Sequence, residues 1–274
     1  SPLPASQIDW LRDNMPDALK NFPDLVTYYV CINLRRPALQ DVRVREALNL
    51  AIDRETIVGK IRKMGEPAAY AIVPPSMANY PSGAVMALKK LTPVQRLTRA
   101  RALMTQAGYG PQHMLHLTYI TPSYPAAKTL APVFQAMWRQ AYIDIDIVAS
   151  EAAAVYQRKS TGDFDLAYST WIADYNDAYN FLGLRLQSKS GMNDSGYASP
   201  AFDALIAEAV AERDMAKRAA ALREAEEIAL NDFPWIPYRF GVTPDLVQPY
   251  VKGWIANPKN VNLTRWLTID HGTK

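Results

Sequence analysis

The sequence predicts an α/β fold in which helices pack against a sheet that contains parallel neighbouring strands. Between residues 115 and 172, three segments rich in β-branched and apolar residues alternate with two segments of helical periodicity. This alternation is typical of parallel strands that crossover helices connect on one sheet. Hydrophobic residues make up 49% of the 274 positions and charged residues 21%, which allows a substantial core. The length fits one large unit or two smaller ones.

Helix starts carry the strongest local signals. Asp41 and Asp53 each precede apolar residues at helical spacing, and Gly65 is the expected end of the second of these helices. Thr92 is followed by proline and, at the third helical position, by glutamine, which predicts a capping box. Ser199, also followed by proline, predicts another start. The remaining helical segments are predicted at residues 6–14, 126–140, 151–159, 176–187, 200–213 and 216–231.

Strands are predicted where short β-branched and aromatic runs lie between turn residues, at 27–34, 115–120, 143–149, 166–172 and 235–240. The only cysteine, Cys31, lies in the first strand, so we expect a small buried hydrophobic side chain and no intrachain disulfide. Residues 66–83 contain four prolines and no periodicity, which predicts an irregular loop.

Composition excludes several classes of function. The formal net charge is only +3, and basic and acidic residues are interspersed, so we expect no nucleic-acid partner. No apolar run approaches the roughly 20 residues of a membrane helix, so we expect no membrane insertion of this chain. The polar, proline-containing start does not resemble a signal peptide and is typical of the interior of a longer protein.

The sequence also lacks the signatures of catalysis. It contains no nucleophile elbow, zinc-protease motif, glycine-rich phosphate loop or paired-cysteine motif, so we predict neither an enzyme nor a bound cofactor or metal. Only His113, His116 and His271 are histidines, and the first two are expected at the surface or at a strand edge. The acidic residues of the last predicted helix are expected to face solvent: Glu224, Glu226 and Glu227.

The end of the strand at 166–172 is the best candidate for a ligand site. It runs through Tyr168 and Trp171 into Ala-Asp-Tyr-Asn-Asp, a composition that favours a turn or a helix cap. Asp174 lies between Trp171 and Tyr175, where a carboxylate can bind a positive charge or cap a helix, and both interpretations remain open. Tyr168 and Trp171 fall on opposite faces of an ideal strand, so both line one groove only if the strand bends. Packing in the core or against the sheet is the competing interpretation for each.

Several motifs carry a family resemblance. The run DVRVREALNLAIDR at residues 41–54 follows TYYVCIN at 27–33. Pro67-Ala68 with Pro74-Pro75, residues 171–176, and YASPAFD at 197–203 come after them in order. Together they resemble bacterial extracellular solute-binding proteins of the oligopeptide- and dipeptide-binding group, which deliver ligands to ABC importers. The resemblance extends from about residue 20 to the end.

This resemblance implies a periplasmic binding protein type II-like fold, in which two α/β lobes enclose a ligand. Because such proteins are considerably longer, the chain is similar to their C-terminal lobe, with a mixed β-sheet flanked by helices. It implies a lead-in segment at residues 1–24, a ligand-binding lobe at 25–240 and a return segment at 241–274 that packs on the N-terminal lobe. It also implies a periplasmic or lipid-anchored extracellular location, with the signal peptide outside this chain.

The resemblance further assigns the strand-end residues. In the oligopeptide-binding type, the aspartate of the W-x-A-D-Y motif pairs with the α-ammonium group of a peptide. That role is implied for Asp174, and Asp177 then becomes the better candidate for the helix cap. Trp171 and Ile172 are implied to lie against the peptide, whose backbone can be held as an added strand.

The chain departs from some relatives at the positions that meet the peptide carboxylate. Tyr168 stands where some relatives carry a basic residue, and the preceding helix offers Lys159 and Arg158. Residues 152–154 are all alanine where a tryptophan is common, which implies a roomier or differently shaped pocket. With Tyr175 beside the aspartate, Tyr168 and Lys159 complete the predicted ligand-binding set.

The sequence therefore predicts the substrate-binding component of a peptide ABC importer, without chemistry of its own. Its predicted partners are a short peptide, the transmembrane subunits of the permease and the N-terminal lobe. Two alternatives stay open. Relatives of this architecture also carry murein peptides, opines, sugars or metal chelates, and a regulatory module that senses a ligand is the alternative from another class.

Overall fold

The computed structural model describes residues 3, 7–81, 83–258 and 261–270. The strands, in chain order, are β1 (Leu19–Ile32), β2 (Leu115–Pro122), β3 (Ile143–Ser150), β4 (Leu166–Ile172), β5 (Trp235–Leu246), β6 (Val251–Lys252) and β7 (Thr268–Ile269). The α-helices are α1 (Ile8–Asn14), α2 (Pro37–Gln40), α3 (Val42–Ala51), α4 (Arg54–Thr56), α5 (Pro93–Gln106), α6 (Pro125–Arg139), α7 (Ala152–Thr161), α8 (Tyr179–Leu186), α9 (Pro200–Ala211) and α10 (Met215–Asp232).

The first five strands form one mixed sheet in the order β3-β2-β4-β1-β5. Strand β2 runs parallel to both β3 and β4, as the alternation of strands and helices predicts. Strand β1 is antiparallel to β4 and to β5. The predicted α/β class and the mixed sheet flanked by helices are therefore confirmed.

Strands β1 and β5 are longer than predicted, because their outer halves pair with each other. Leu19 pairs with Leu246, and the ladder continues to Pro23 opposite Val242. The register shifts between Pro23 and Thr27, where residues 24–26 of β1 lie opposite the single residue Gly241 of β5. The predicted segment boundaries after residues 24 and 240 fall inside this ladder, so the sheet continues across both positions.

Capping side chains start the helices where the sequence predicts them. Asp41 accepts the N–H of Arg43 at 2.9 Å, at the first turn of α3. Both halves of the predicted capping box are present: the Thr92 hydroxyl accepts the Gln95 N–H at 3.2 Å, and the Gln95 side chain accepts the Thr92 N–H at 2.9 Å. Ser199 caps α9. These helix starts follow from local sequence alone.

The helix that Asp53 caps ends before the predicted stop at Gly65. After α4 the chain winds as a π-helix over Ile57–Arg62. Lys63 then takes a left-handed conformation with φ of 55°, which ends the helix without a glycine.

The last residue of the DVRVREALNLAIDR motif is a fully buried arginine. The guanidinium of Arg54 donates to the main-chain oxygens of Ala69 at 2.8 Å, Pro237 at 2.7 Å, Asn49 at 2.9 Å and Ile52 at 3.2 Å. Burial lowers the pKa of Arg54 to about 10. These bonds join the end of α3 to the proline-rich loop and to β5, so Arg54 acts in the architecture of the fold.

A buried glutamate holds the proline-rich loop, whose described residues are irregular as predicted. Glu226 of α10 is fully buried. One oxygen accepts the N–H groups of Ile72 and Val73 at 2.8 Å each. The other accepts the Tyr80 hydroxyl at 2.7 Å and the Ala84 N–H at 3.3 Å. The prediction that this glutamate faces solvent is wrong, and burial raises its pKa to about 7, although the four donors lower it.

The core packs on the sheet and is rich in aromatic side chains. Trp235 stacks on Tyr29 with ring centroids 3.7 Å apart. Trp138 is fully buried and donates its indole N–H to the Leu48 carbonyl at 3.0 Å, which joins α6 to α3. Cys31 is buried, as predicted, and burial raises the pKa of its thiol to about 12. Among the described residues, none forms a helix long and apolar enough to span a bilayer.

Candidate functional site

Four of the predicted ligand-binding residues lie at the end of β4 and in the turn after it. Ile172 is 63% exposed and Tyr175 is 45% exposed. Asp174 is exposed as well, and Trp171 is half-buried. An exposed carboxylate thus lies among apolar and aromatic side chains at the carboxyl end of a strand, where α/β sheets commonly bind ligands.

Asp177 bonds to the first residue of α8. Asp177 Oδ1 accepts the N–H of Tyr179, the first residue of α8, at 2.9 Å. Its carboxylate also accepts two bonds from Arg218 of α10, at 2.7 and 2.8 Å. The N-cap position of α8 is Ala178, so Asp177 bonds to the start of the helix from the residue before the cap.

One buried amide oxygen fixes the strand end. Asn180, in the first turn of α8, accepts the indole N–H of Trp171 at 2.8 Å and the main-chain N–H of Asp174 at 3.3 Å. On the other side, the guanidinium of Arg185 lies 4.7 Å from the Trp171 ring centroid. The indole is therefore held at its edge and over its face.

Tyr168 lies on the opposite face of the sheet from Trp171. The register of β4 against β1 is unbroken from Leu166 to Ile172, so the strand does not bend to bring the two aromatic residues together. Tyr168 packs edge-to-face on Tyr124, with centroids 5.8 Å apart. The two tyrosines border a recess of about 20 Å³, whose other lining residues include Ala152, Val155, Tyr156 and Thr170.

Lys159 is not exposed at the strand end, in contrast to the predicted meeting with a ligand carboxylate. Its side chain, on α7, is 5% exposed, and Nζ lies 3.0 Å from Asp194 Oδ2. The same oxygen accepts a bond from Arg185 at 2.7 Å, and Arg185 also donates to the Tyr29 hydroxyl at 3.2 Å. Burial by itself lowers the pKa of Lys159, but Tyr29 and Asp194 raise it overall, so the ammonium stays charged and paired.

The proline-rich loop borders the strand end. The main-chain N–H of Ala78 donates to Asn176 Oδ1 at 2.9 Å. Earlier in the loop, the Ile72 carbonyl accepts a bond from the hydroxyl of Thr27 of β1 at 2.8 Å. Since Thr27 pairs with Trp171 in the sheet, the loop and the strand end share one support.

The described residues contain no group of three or more His, Cys, Asp or Glu side chains that could hold a metal ion. His113 is exposed and stacks on Tyr109, and the exposed His116 lies 3.5 Å from Asp144. His271 lies outside the described residues.

Sequence reasoning missed Asn180 and Arg185. Both are polar residues in the otherwise apolar run Tyr-Asn-Phe-Leu-Gly-Leu-Arg-Leu of α8, and both are buried. A polar side chain at a buried helix position needs a partner, so this pattern was a readable signal. It did not identify the partners, which lie on β4, on β1 and in the segment that holds Asp194.

Three comparisons relate this architecture to known proteins. The sequence model of the family described as bacterial extracellular solute-binding proteins, family 5 Middle, matches residues 1–193. The periplasmic oligopeptide-binding protein OppA of Escherichia coli is 33% identical over 272 residues, which cover 97% of this chain and 49% of that protein. The chain spans about half the length of the curated relatives it matches.

Two solved structures share the fold. The Escherichia coli murein tripeptide binding protein MppA superposes with a TM-score of 0.88 at 29% identity, over 98% of this chain and 53% of that one. Haemophilus influenzae OppA in complex with the peptide RPPGFSPFR superposes with a TM-score of 0.88 at 30% identity, over 97% and 53% of the two chains.

Proposed function

Because the chain belongs to the bacterial extracellular solute-binding proteins of family 5, we propose that it is the C-terminal lobe of the substrate-binding component of a peptide ABC importer. The observation that carries the proposal is the exposed Asp174 between Trp171 and Tyr175, on a strand end that a buried asparagine fixes. The relatives named for oligopeptide and murein tripeptide binding support the same class of ligand.

The recognition chemistry follows from what every short peptide carries. Its α-ammonium group pairs with the Asp174 carboxylate, and its first residues lie against Trp171 and Ile172 with Tyr175 at the rim. Hydrogen bonds to the peptide backbone make this mode tolerant of side-chain identity. An enclosed groove must also supply a partner for the negative charge of the peptide carboxylate. Lys159 is already paired with Asp194, so the partner of that carboxylate lies elsewhere.

The second wall of the groove comes from an N-terminal lobe. The return segment, proposed at 241–274, carries apolar side chains that are exposed in its described part and that this lobe covers: Tyr250, Ile255, Val261, Leu263, Trp266 and Ile269. Closure of the lobes around the peptide prepares docking on the transmembrane subunits of the permease. This takes place in the periplasm, or outside the cell if the protein is lipid-anchored. The chain takes no part in a chemical reaction.

The test is calorimetry on the full-length protein with one peptide in two forms, with a free and with an acetylated amino terminus. Asp174→Asn should weaken binding of the free form roughly 10- to 150-fold, because a charge-assisted hydrogen bond contributes about 1.5–3 kcal/mol. Binding of the acetylated form should not change. Glu208→Gln removes an exposed carboxylate of α9 and serves as the matched control. Equal losses for the two forms would contradict the ammonium-receptor role.

A murein peptide is the second candidate ligand, and the likeness to MppA favours it. The same titration with a murein tripeptide decides between the two. Tighter binding of the murein tripeptide than of the oligopeptide would favour the murein peptide as the ligand.

A further inference from the structure

Asn180 connects the two parts of the strand end to which the proposed function assigns the ligand. It is fully buried, and its Oδ1 atom accepts both the Trp171 indole N–H at 2.8 Å and the Asp174 main-chain N–H at 3.3 Å. Its own main-chain N–H donates to the Asp177 carbonyl at 3.0 Å. One side chain on α8 therefore sets the orientation of the indole and the path of the loop that carries the carboxylate.

Arg185 adds a second hold on the same indole. Its guanidinium lies over the Trp171 ring at 4.7 Å, and its side chain is only 8% exposed. Asp194 fixes it through a 2.7 Å ion pair, and Asp194 is itself paired with Lys159 at 3.0 Å. Contacts run from Lys159 through Asp194 and Arg185 to Trp171. They keep the Arg185 guanidinium buried against the Trp171 ring, where a ligand does not reach it.

We propose that Asn180 and Arg185 are positioning residues, which hold Trp171 and the Asp174 main chain in the binding geometry before a ligand arrives. The contacts with Asn180 and Arg185 hold the indole in one orientation, so the protein does not have to order it when a ligand binds. Lys159 and Asp194 act on Trp171 indirectly, because they fix the position of Arg185. The ligand part of this inference rests on the proposed function, whereas the order of the free indole does not.

The experiment observes Trp171 directly in the full-length protein, labelled with ¹⁵N-tryptophan. Its indole resonance is the one that disappears in Trp171→Phe. In the wild type we expect a single resonance with slow exchange of the indole proton. In Asn180→Leu we expect exchange at least about 10-fold faster and peptide affinity about 10-fold weaker, which corresponds to about 1.4 kcal/mol.

Conservative variants separate positioning from general stability. Asn180→Asp keeps an acceptor oxygen and should restore the slow indole exchange. Arg185→Lys keeps the charge opposite Asp194 but not the planar stacking group, so we expect a shifted Trp171 resonance and about 5-fold weaker binding. Asn231→Ala, at an exposed position near the end of α10, is the control and should change neither readout.

The outcomes distinguish this inference from the proposed function. An unchanged Trp171 resonance and exchange rate in Asn180→Leu, or faster exchange with unaltered affinity, overturns the positioning role. If Asn180→Leu fails to fold, Arg185→Lys decides: an unshifted Trp171 resonance, or a shifted one with unaltered affinity, overturns the positioning role. If the wild type binds no peptide, the proposed function fails, while the indole exchange rates still test whether the free site is held.

Discussion

Raising the pH from about 5 to about 8 should destabilise the fold, because it ionises Glu226 inside the protein. Burial raises the pKa of this group from 4.5 to about 7. The unfolded chain loses the proton near pH 4.5, whereas the folded chain keeps it until about pH 7, so the unfolded state binds fewer protons between these values. Stability is therefore full below the lower value and falls as the pH rises to the higher one.

The size of the effect follows from the two pKa values. A pKa higher by about 2.5 corresponds to about 3 kcal/mol, at about 1.36 kcal/mol for each pH unit. The measurement is the free energy of unfolding from urea titrations at several pH values, followed by far-UV circular dichroism. Glu226→Gln stays neutral throughout, so its free energy of unfolding should lack this decrease.

Glu224→Gln is the matched control, since Glu224 is exposed on the same helix and its replacement should leave the decrease intact. Every titratable group other than Glu224 and Glu226 is present in all three proteins, so the contribution of those groups cancels in the comparison. Parallel curves for the wild type and Glu226→Gln would refute the reasoning.

Two further predictions concern buried groups of the core. Arg54→Met should lower the free energy of unfolding by about 3 kcal/mol or more, because several main-chain oxygens lose their donor inside the protein. Urea titration measures this free energy, and a loss below about 1 kcal/mol would contradict the role of Arg54. The Cys31 thiol, with a pKa raised to about 12, should resist iodoacetamide at about pH 8 in the folded protein and react fully in urea, so rapid labelling of the folded protein would contradict its burial.

Local signals predicted the helix starts and the central strands well. Capping at Asp41 and Thr92 depends on residues within one turn, so the sequence contains everything that the structure uses there. The alternation along 115–172 likewise predicted parallel strands, because the connecting helices require them.

The sequence did not reveal what distant segments do to a side chain. Glu226 occupies a helix rich in charge and looked solvated, but its four donors come from a loop more than 140 residues earlier. Lys159 looked available to a ligand, but its side chain is buried and paired with Asp194. The outer halves of β1 and β5 were missed because each strand supplies the other's hydrogen-bonding partner. No local pattern contains such long-range partners.

The bonding of Arg54 has a consequence for how the chain tolerates substitution. Of the five hydrogen bonds that the structure gives its guanidinium, four go to main-chain oxygens and one goes to the Asn49 side chain. Every residue type offers a main-chain oxygen, so hydrogen bonding to Arg54 does not by itself restrict the side chains at positions 52, 69 and 237. Ile52 and Ala69 are fully buried, so packing restricts those two. The arginine itself has no substitute, since no other side chain presents so many donors in one plane. Deep mutational scanning of the folded protein should therefore show position 52 accepting apolar residues of similar size, whereas position 54 accepts arginine alone.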